Sequence, residues 1–390
     1  MNPSGIGWIK KLLKIVSKND TFLNLSKEPF YEALRSCGFI YGNNLEVVNQ
    51  VITKKDLTDE ELCKTNLCLA LLHTHAHSDS NIPFTESVID FYTQINELKT
   101  SFFKGLLGGN KSHEQLEKII HKRVQIDANF ITKNFNYIII NALLNVDVLA
   151  YEQYLKTASI SIDYIKYLEA AIETITLDVL NAKEVKNQYD ESLIKLFESS
   201  LRFHSNHSIS YEEAIANIKN PLEKLYIMDL ACMATWSDKT IDPTEKRYLI
   251  QLGTDLNVDS DTINKSIAAI TSFYTTNKDR IALLNSKNII QSFYNNSSKM
   301  VMKLITRNSK RLYQELKDSK ELMVLLTQST VRDLNAEEQK KVHEQLLDIF
   351  KSIPSLAIFL LPGGAILLPL VIKVIPKLLP SAFDENRLEE

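Results

Sequence analysis

Cysteine is nearly absent from this 390-residue chain: Cys37, Cys63, Cys68 and Cys232 are the only four, and none forms a C-x-x-C pair. A disulfide framework is therefore not expected, and a reducing compartment is the default. Cys63 and Cys68 fall in an apolar-periodic stretch and read as small buried side chains. Gly and Pro are also scarce, at ten each, which excludes collagen-like and Gly-rich low-complexity sequence. Charge of one sign is lacking too. With 45 basic and 48 acidic residues the net charge is -3, so the whole chain is no polycation built for nucleic acid. DNA is not an expected partner, and any basic surface must be local. Enzyme signatures are missing: there is no G-x-S-x-G, no kinase set and no dinucleotide fingerprint. Gly105–Ser112 is Gly-rich and ends in Lys-Ser, but the G-x-x-x-x-G-K-S spacing fails and no strand precedes it. The chain reads as non-enzymatic, with no resident cofactor.

What is present is ordinary globular composition, 44% hydrophobic and 24% charged, in a chain long enough for two or three cores. Period-3.6 patterns cover 60–73, 86–98, 114–127, 135–156, 161–182, 192–201, 211–235, 244–256 and 261–273. Start signals accompany several of them. Asp59-Glu60-Glu61 follows Thr58, Pro243 stands early in a first turn, and Ser210-Tyr211-Glu212-Glu213 has capping-box spacing. The fold class is all-α. Boundaries are expected near 55, 205 and 290, giving an amino-terminal helical segment 1–55, a helical domain 56–204, a second helical domain 205–290 and a carboxyl-terminal unit 291–390. The amino terminus, Met1 to Val16, lacks a signal-peptide pattern. It is either a first helix packed on the domain or an amphipathic surface segment with Trp8 at an interface.

Two corners look alike. Ser78, Asp79, Ile82, Thr85 and Glu86 recur 159 positions later as Ser237, Asp238, Ile241, Thr244 and Glu245. Each set reads as a tight helix-loop-helix with the Ile plugging the corner and the Glu at a helix start, where the dipole favours a carboxylate. The second copy, Leu230-Ala231-Cys232-Met233-Ala234-Thr235-Trp236-Ser237-Asp238 followed by Ile241, Glu245, Leu249 and Leu252-Gly253, resembles the tellurite-resistance TerB-like helical domain over about 222–285. Lys239 stands where that family has glycine, and Ser237 where it has alanine. The resemblance implies an acidic corner that takes a cation such as Ca2+, through Asp238 and Glu245 and, in the first copy, Asp79 and Glu86. The alternative is that these carboxylates cap helices. His73 and His77, four apart, would share a helical face and reach for a transition metal with Asp79 nearby, or else form a polar helix end.

Lys299, Lys303 and Arg307 step by four, and Lys310 and Arg311 extend the basic character. Such a helix can meet anionic lipid or RNA phosphates, or is simply a solvated basic face. Beyond it, residues 353–372 carry no charged side chain. As one helix they would span about 30 Å, the thickness of a bilayer core. Pro354, Pro362 and Pro369, with Gly363-Gly364, break that run, and a buried helical hairpin is the alternative.

The pattern Ile353-Pro354, Phe359, Leu361-Pro362, Leu368-Pro369, Lys373, Pro376 and Leu379-Pro380-Ser381-Ala382-Phe383 resembles the membrane segment of the Letm family, the leucine zipper and EF-hand containing transmembrane proteins. That resemblance implies membrane attachment. It also implies ion homeostasis, as a scaffold or as part of a cation/proton antiporter. Ribosome binding is implied through a domain that follows the segment, whose body would lie beyond Glu390. The whole arrangement is similar to a bacterial group of Letm-related, biofilm-associated proteins. Lys340, Lys341 and Lys351 before the segment and Asp384, Glu385, Glu389 and Glu390 after it favour a cytoplasmic body on an inner membrane. Oligomeric state is not legible.

Overall fold

The strongest start signals in the sequence open helices in the computed structural model, which describes residues 1–18, 21–53, 57–99, 112–124, 143–181, 209–235, 243–277, most of 301–353, and positions 241, 280, 356, 371, 372 and 375. Among the described residues there are fourteen α-helices and no strand. They are α1 Trp8–Val16, α2 Lys27–Ser36, α3 Asp59–Ala76, α4 Phe84–Lys99, α5 His113–Val124, α6 Leu144–Thr157, α7 Ile162–Asn181, α8 Tyr211–Asn217, α9 Pro221–Thr235, α10 Pro243–Asp255, α11 Ser260–Asn277, α12 Ser309–Lys317, α13 Lys320–Gln328 and α14 Ala336–Ser352. The all-α expectation holds.

Caps explain several of the boundaries. Thr58 Oγ1 accepts from the Glu61 N–H at 3.3 Å, and the Glu61 carboxylate accepts from the Thr58 N–H at 3.0 Å, so two orphan donors of α3 are satisfied reciprocally. Asn335 and Glu338 repeat the device at the start of α14. Pro243 is the first residue of α10, where a missing N–H costs nothing. Pro221 has the opposite effect on the stretch 211–235, expected as one helix. The structure divides it into α8 and α9, with Ile218 extended at φ -90°, ψ 104°. Proline disfavours helical geometry at the residue before it and supplies no N–H. The expected helix at 192–201 lies outside the described residues.

The amino-terminal segment is a packed helix. Trp8, Ile9, Leu12 and Val16 are buried, against α5. The open end of α1 receives a carboxylate from that neighbour: the Gly7 and Ile9 N–H groups each donate to Glu117 at 2.9 Å. A negative group there suits the helix dipole.

Two helices are buried around most of their circumference. α3 is surrounded by α4, α5 and α6, and α9 by α7, α10 and α11. The repeated corners join these helices to their successors. α3 ends at Ala76 and α4 begins at Phe84; α9 ends at Thr235 and α10 begins at Pro243. Both ends of both loops thus keep the 159-residue offset. Ile82 does not plug its corner. It is 42% exposed, while His75 and Phe84 meet edge to face at 5.7 Å beside it in the chain.

Buried carboxylates hold helices together. Asp229 of α9 is fully buried and takes two bonds from Arg35 of α2, at 2.7 and 2.8 Å, and one from the Tyr31 hydroxyl at 2.7 Å. Asp147 of α6 is equally buried and takes Arg123 of α5 and the Tyr92 hydroxyl of α4. All four cysteines are free and buried. Burial pushes the Cys37 thiol up to about 12 and raises the other three as well, so none is poised as a nucleophile.

One continuous cluster of buried apolar side chains runs from Trp8 to Tyr274 and draws on the first three expected units. A second runs from Val301 to Ile375. In it, α14 packs Val342, Leu346 and Phe350 with Leu312 and Leu316 of α12 and Leu322 and Leu326 of α13.

Candidate functional site

The first core contains a cleft of about 590 Å³ between α2, the carboxyl-terminal end of α3 and α6. Residues at helical spacing supply its walls. On α6 the stripe is Asn145, Leu149, Glu152 and Lys156, with Val148 beside it. On α2 the corresponding residues are Lys27, Phe30, Tyr31 and Leu34. Lys27 and Lys156 both donate to one oxygen of Glu152, from opposite sides of the slot. Burial alone would raise the Glu152 carboxyl, but the lysine hydrogen bonds outweigh it and hold the group below the usual carboxylate range. Asn145 is 2% exposed, and its side-chain Nδ2 has no hydrogen-bond partner.

His73 borders the same cleft. Its ring stacks on Phe30 at 3.7 Å and 7°, and on His77 at 4.2 Å. The Nε2–H donates to the Leu25 carbonyl at 2.8 Å, and His77 Nδ1–H donates to the His73 carbonyl at 3.0 Å. Each ring therefore uses one nitrogen on main chain. Among the described residues no group of three or more His, Cys, Asp or Glu side chains could hold a metal ion.

Burial lowers His73 to about 4, so it is neutral at pH 7. The unfolded chain binds a proton near 6.5 that the folded chain refuses until about 4, and stability is therefore lost as pH falls through that window. Because the side chain is not wholly shielded, the expected loss is roughly 2 kcal/mol. Burial lowers His75 as well, in the same sense. Urea unfolding at pH 7 and pH 4.5 isolates His73: the His73→Phe variant should lose less stability between the two than the parent. Equal losses would show that His73 does not carry this dependence.

The expected cation corner falls partly outside the described residues, where Asp238 lies. Glu245 is buried in the first turn of α10, and Asp79 and Glu86 are exposed at the α3–α4 corner. Of the expected basic face, Lys310 and Arg311 are exposed on α12, while Lys299, Lys303 and Arg307 lie outside the described residues. Pro354, Phe359, Pro362, Pro369, Lys373, Pro376 and Pro380 also lie outside them. The described members of the charge-free run, Ile353, Leu356, Val371 and Ile372, are buried in the second core, as is Ile375. No helix among the described residues is long and apolar enough to cross a membrane.

No single stretch of sequence marks the cleft, because four separate segments build it. The available signal was the seven- and four-residue spacing that puts Asn145, Glu152 and Lys156 on one face of α6.

No curated protein and no solved structure matches this chain. Its carboxyl-terminal stretch, residues 334–390, matches the family model described as LETM1-like, RBD. That match takes in the segment read from the sequence as a membrane stretch: the stretch from Leu334 to Glu390 is similar to the LETM1-like RBD.

Proposed function

We propose that this protein acts by binding, and that its carboxyl-terminal unit associates with ribosomes. The observation that carries this reading is the match of residues 334–390 to a family whose name denotes a ribosome-binding domain. The described surface of the unit supports it. Lys310, Arg311 and Lys317 are exposed on α12, and Lys340 and Lys341 on α14. Residues 299–353 hold eleven basic side chains against eight acidic ones, a local excess in a chain whose net charge is -3. Ribosomal RNA presents dense phosphate, and lysine and arginine contacts to it are strongly salt-dependent.

Cosedimentation of the full-length chain with ribosomes through a sucrose cushion tests this. Pelleting is expected at 50 mM salt, with loss at 300 mM. The Lys310→Glu/Arg311→Glu double variant should pellet at least tenfold more weakly. A chain left in the supernatant at low salt would overturn the proposal, and an unaffected double variant would remove α12 from the interface.

Membrane attachment is a second reading, resting on the charge-free run 353–372. Burial of that run's described residues in the second core favours the ribosome reading. Retention of the chain on membranes through an alkaline-carbonate wash would reverse the order of the two.

A further inference from the structure

We propose that the cleft between α2, α3 and α6 binds an amphipathic monocarboxylate, an apolar chain with a carboxylate at one end and an uncharged hydrogen-bond acceptor at the other. The cleft's volume, about 590 Å³, lies within the range of small-molecule sites. Its chemistry is graded along the helices. Glu152 and Asn145 are seven residues apart on one face of α6, about 10 Å along the axis. Val148 and Leu149 of α6 and Phe30 and Leu34 of α2 also line the slot, apolar surface for a hydrocarbon chain.

One end of the slot is cationic. Two ammonium groups share a single carboxylate oxygen, with Lys27 Nζ and Lys156 Nζ both on Glu152 Oε1. That leaves one positive charge in excess, and both lysine side chains are half exposed, at 50% and 52%. One excess charge suits a monoanion rather than a phosphate dianion. Asp79 also borders the cleft, at the α3–α4 corner, so the positive excess belongs to the Lys27–Glu152–Lys156 cluster and not to the lining as a whole.

The other end holds the independent mark of a missing partner. Asn145 is 2% exposed with its Nδ2 unsatisfied, and a buried donor without an acceptor is costly. A ligand reaching that end with a hydrogen-bond acceptor would relieve it. The cleft belongs to the first core, and this inference does not depend on the ribosome reading.

Calorimetric titration of the full-length chain with octanoate, and separately with 1-octanol, tests the assignment. Octanoate is expected to bind once per chain and at least tenfold more tightly than octanol. The Lys27→Gln/Lys156→Gln variant, altered only at half-exposed positions, should lose that preference and bind the two probes alike. Leu149→Trp should abolish both. Equal affinity of the parent chain for the two probes would overturn carboxylate recognition. So would an unchanged preference in the double lysine variant. Absence of any saturable octanoate binding would overturn the site itself. The double lysine variant alone decides the matter if Leu149→Trp does not fold.

Discussion

Replacing Asp229 with Ala is expected to destabilise the chain by about 3–5 kcal/mol, the cost of leaving a buried guanidinium without its counter-charge. Arg35 is 3% exposed and lies against Asp229 through two hydrogen bonds, with Ser266 of α11 on the same nitrogen as one of them. Glu32 also reaches Arg35 but is itself 56% exposed, so its charge is largely screened and replaces little of what is lost. Burial raises the Asp229 carboxyl, while Arg35 and the Tyr31 hydroxyl oppose that rise. Asp229 in turn raises Arg35 against its own burial. Each partner thus makes the other's charge tolerable in a place that would otherwise reject it. The double variant Arg35→Met/Asp229→Leu should cost clearly less than the sum of the two single changes, because no lone charge remains. Urea unfolding of the four proteins measures the coupling. Additive single effects would show that the pair does not act as a unit.

Gly38→Ala is expected to cost about 3 kcal/mol or more, from a left-handed backbone combined with overpacking. Gly38 follows α2 with φ +86°, and a Cβ there would stand 2.0 Å from the Asn43 carbonyl oxygen and 2.6 Å from the Phe273 ring. The turn cannot step aside, because the Asn43 N–H donates to the Gly38 carbonyl and the Leu45 N–H to the Cys37 carbonyl. Gly7 supplies the comparison. Its φ is +85°, but nothing lies within 4 Å of its Cβ position. Gly7→Ala should therefore show only the backbone penalty, about 1 kcal/mol. The difference between the two denaturation midpoints measures the crowding, and equal losses at both sites would refute it.

The helical class and several boundaries were legible because they follow from neighbours in the chain. Thr58 with Glu61, and Pro243, act within one turn, and their chemistry is complete in a few consecutive residues. The 159-residue offset was legible in the same way, and the ends of α3 and α9 and the starts of α4 and α10 keep it. The ion pairs were not. Asp229 sits in the run Tyr226–Ala234, where a carboxylate reads only as a flaw in an apolar face. Its partner is 194 residues away. His73 read as part of a polar helix end, but Phe30 from α2 covers the ring and burial then removes its proton affinity.

Local spacing thus settled that this chain is helical, where many of its helices start and that its cysteines are packing residues. Packing between distant segments settled which charges are buried together, that Trp8 belongs to the core, that Ile82 does not fill its corner and that a cleft opens between α2 and α6. The physical division is one of range. Capping, proline geometry and hydrophobic periodicity act over one to a few turns and leave their mark in consecutive residues. Desolvation, ion pairing and cavity shape depend on what lies across the fold, and no stretch of sequence records its own neighbours there.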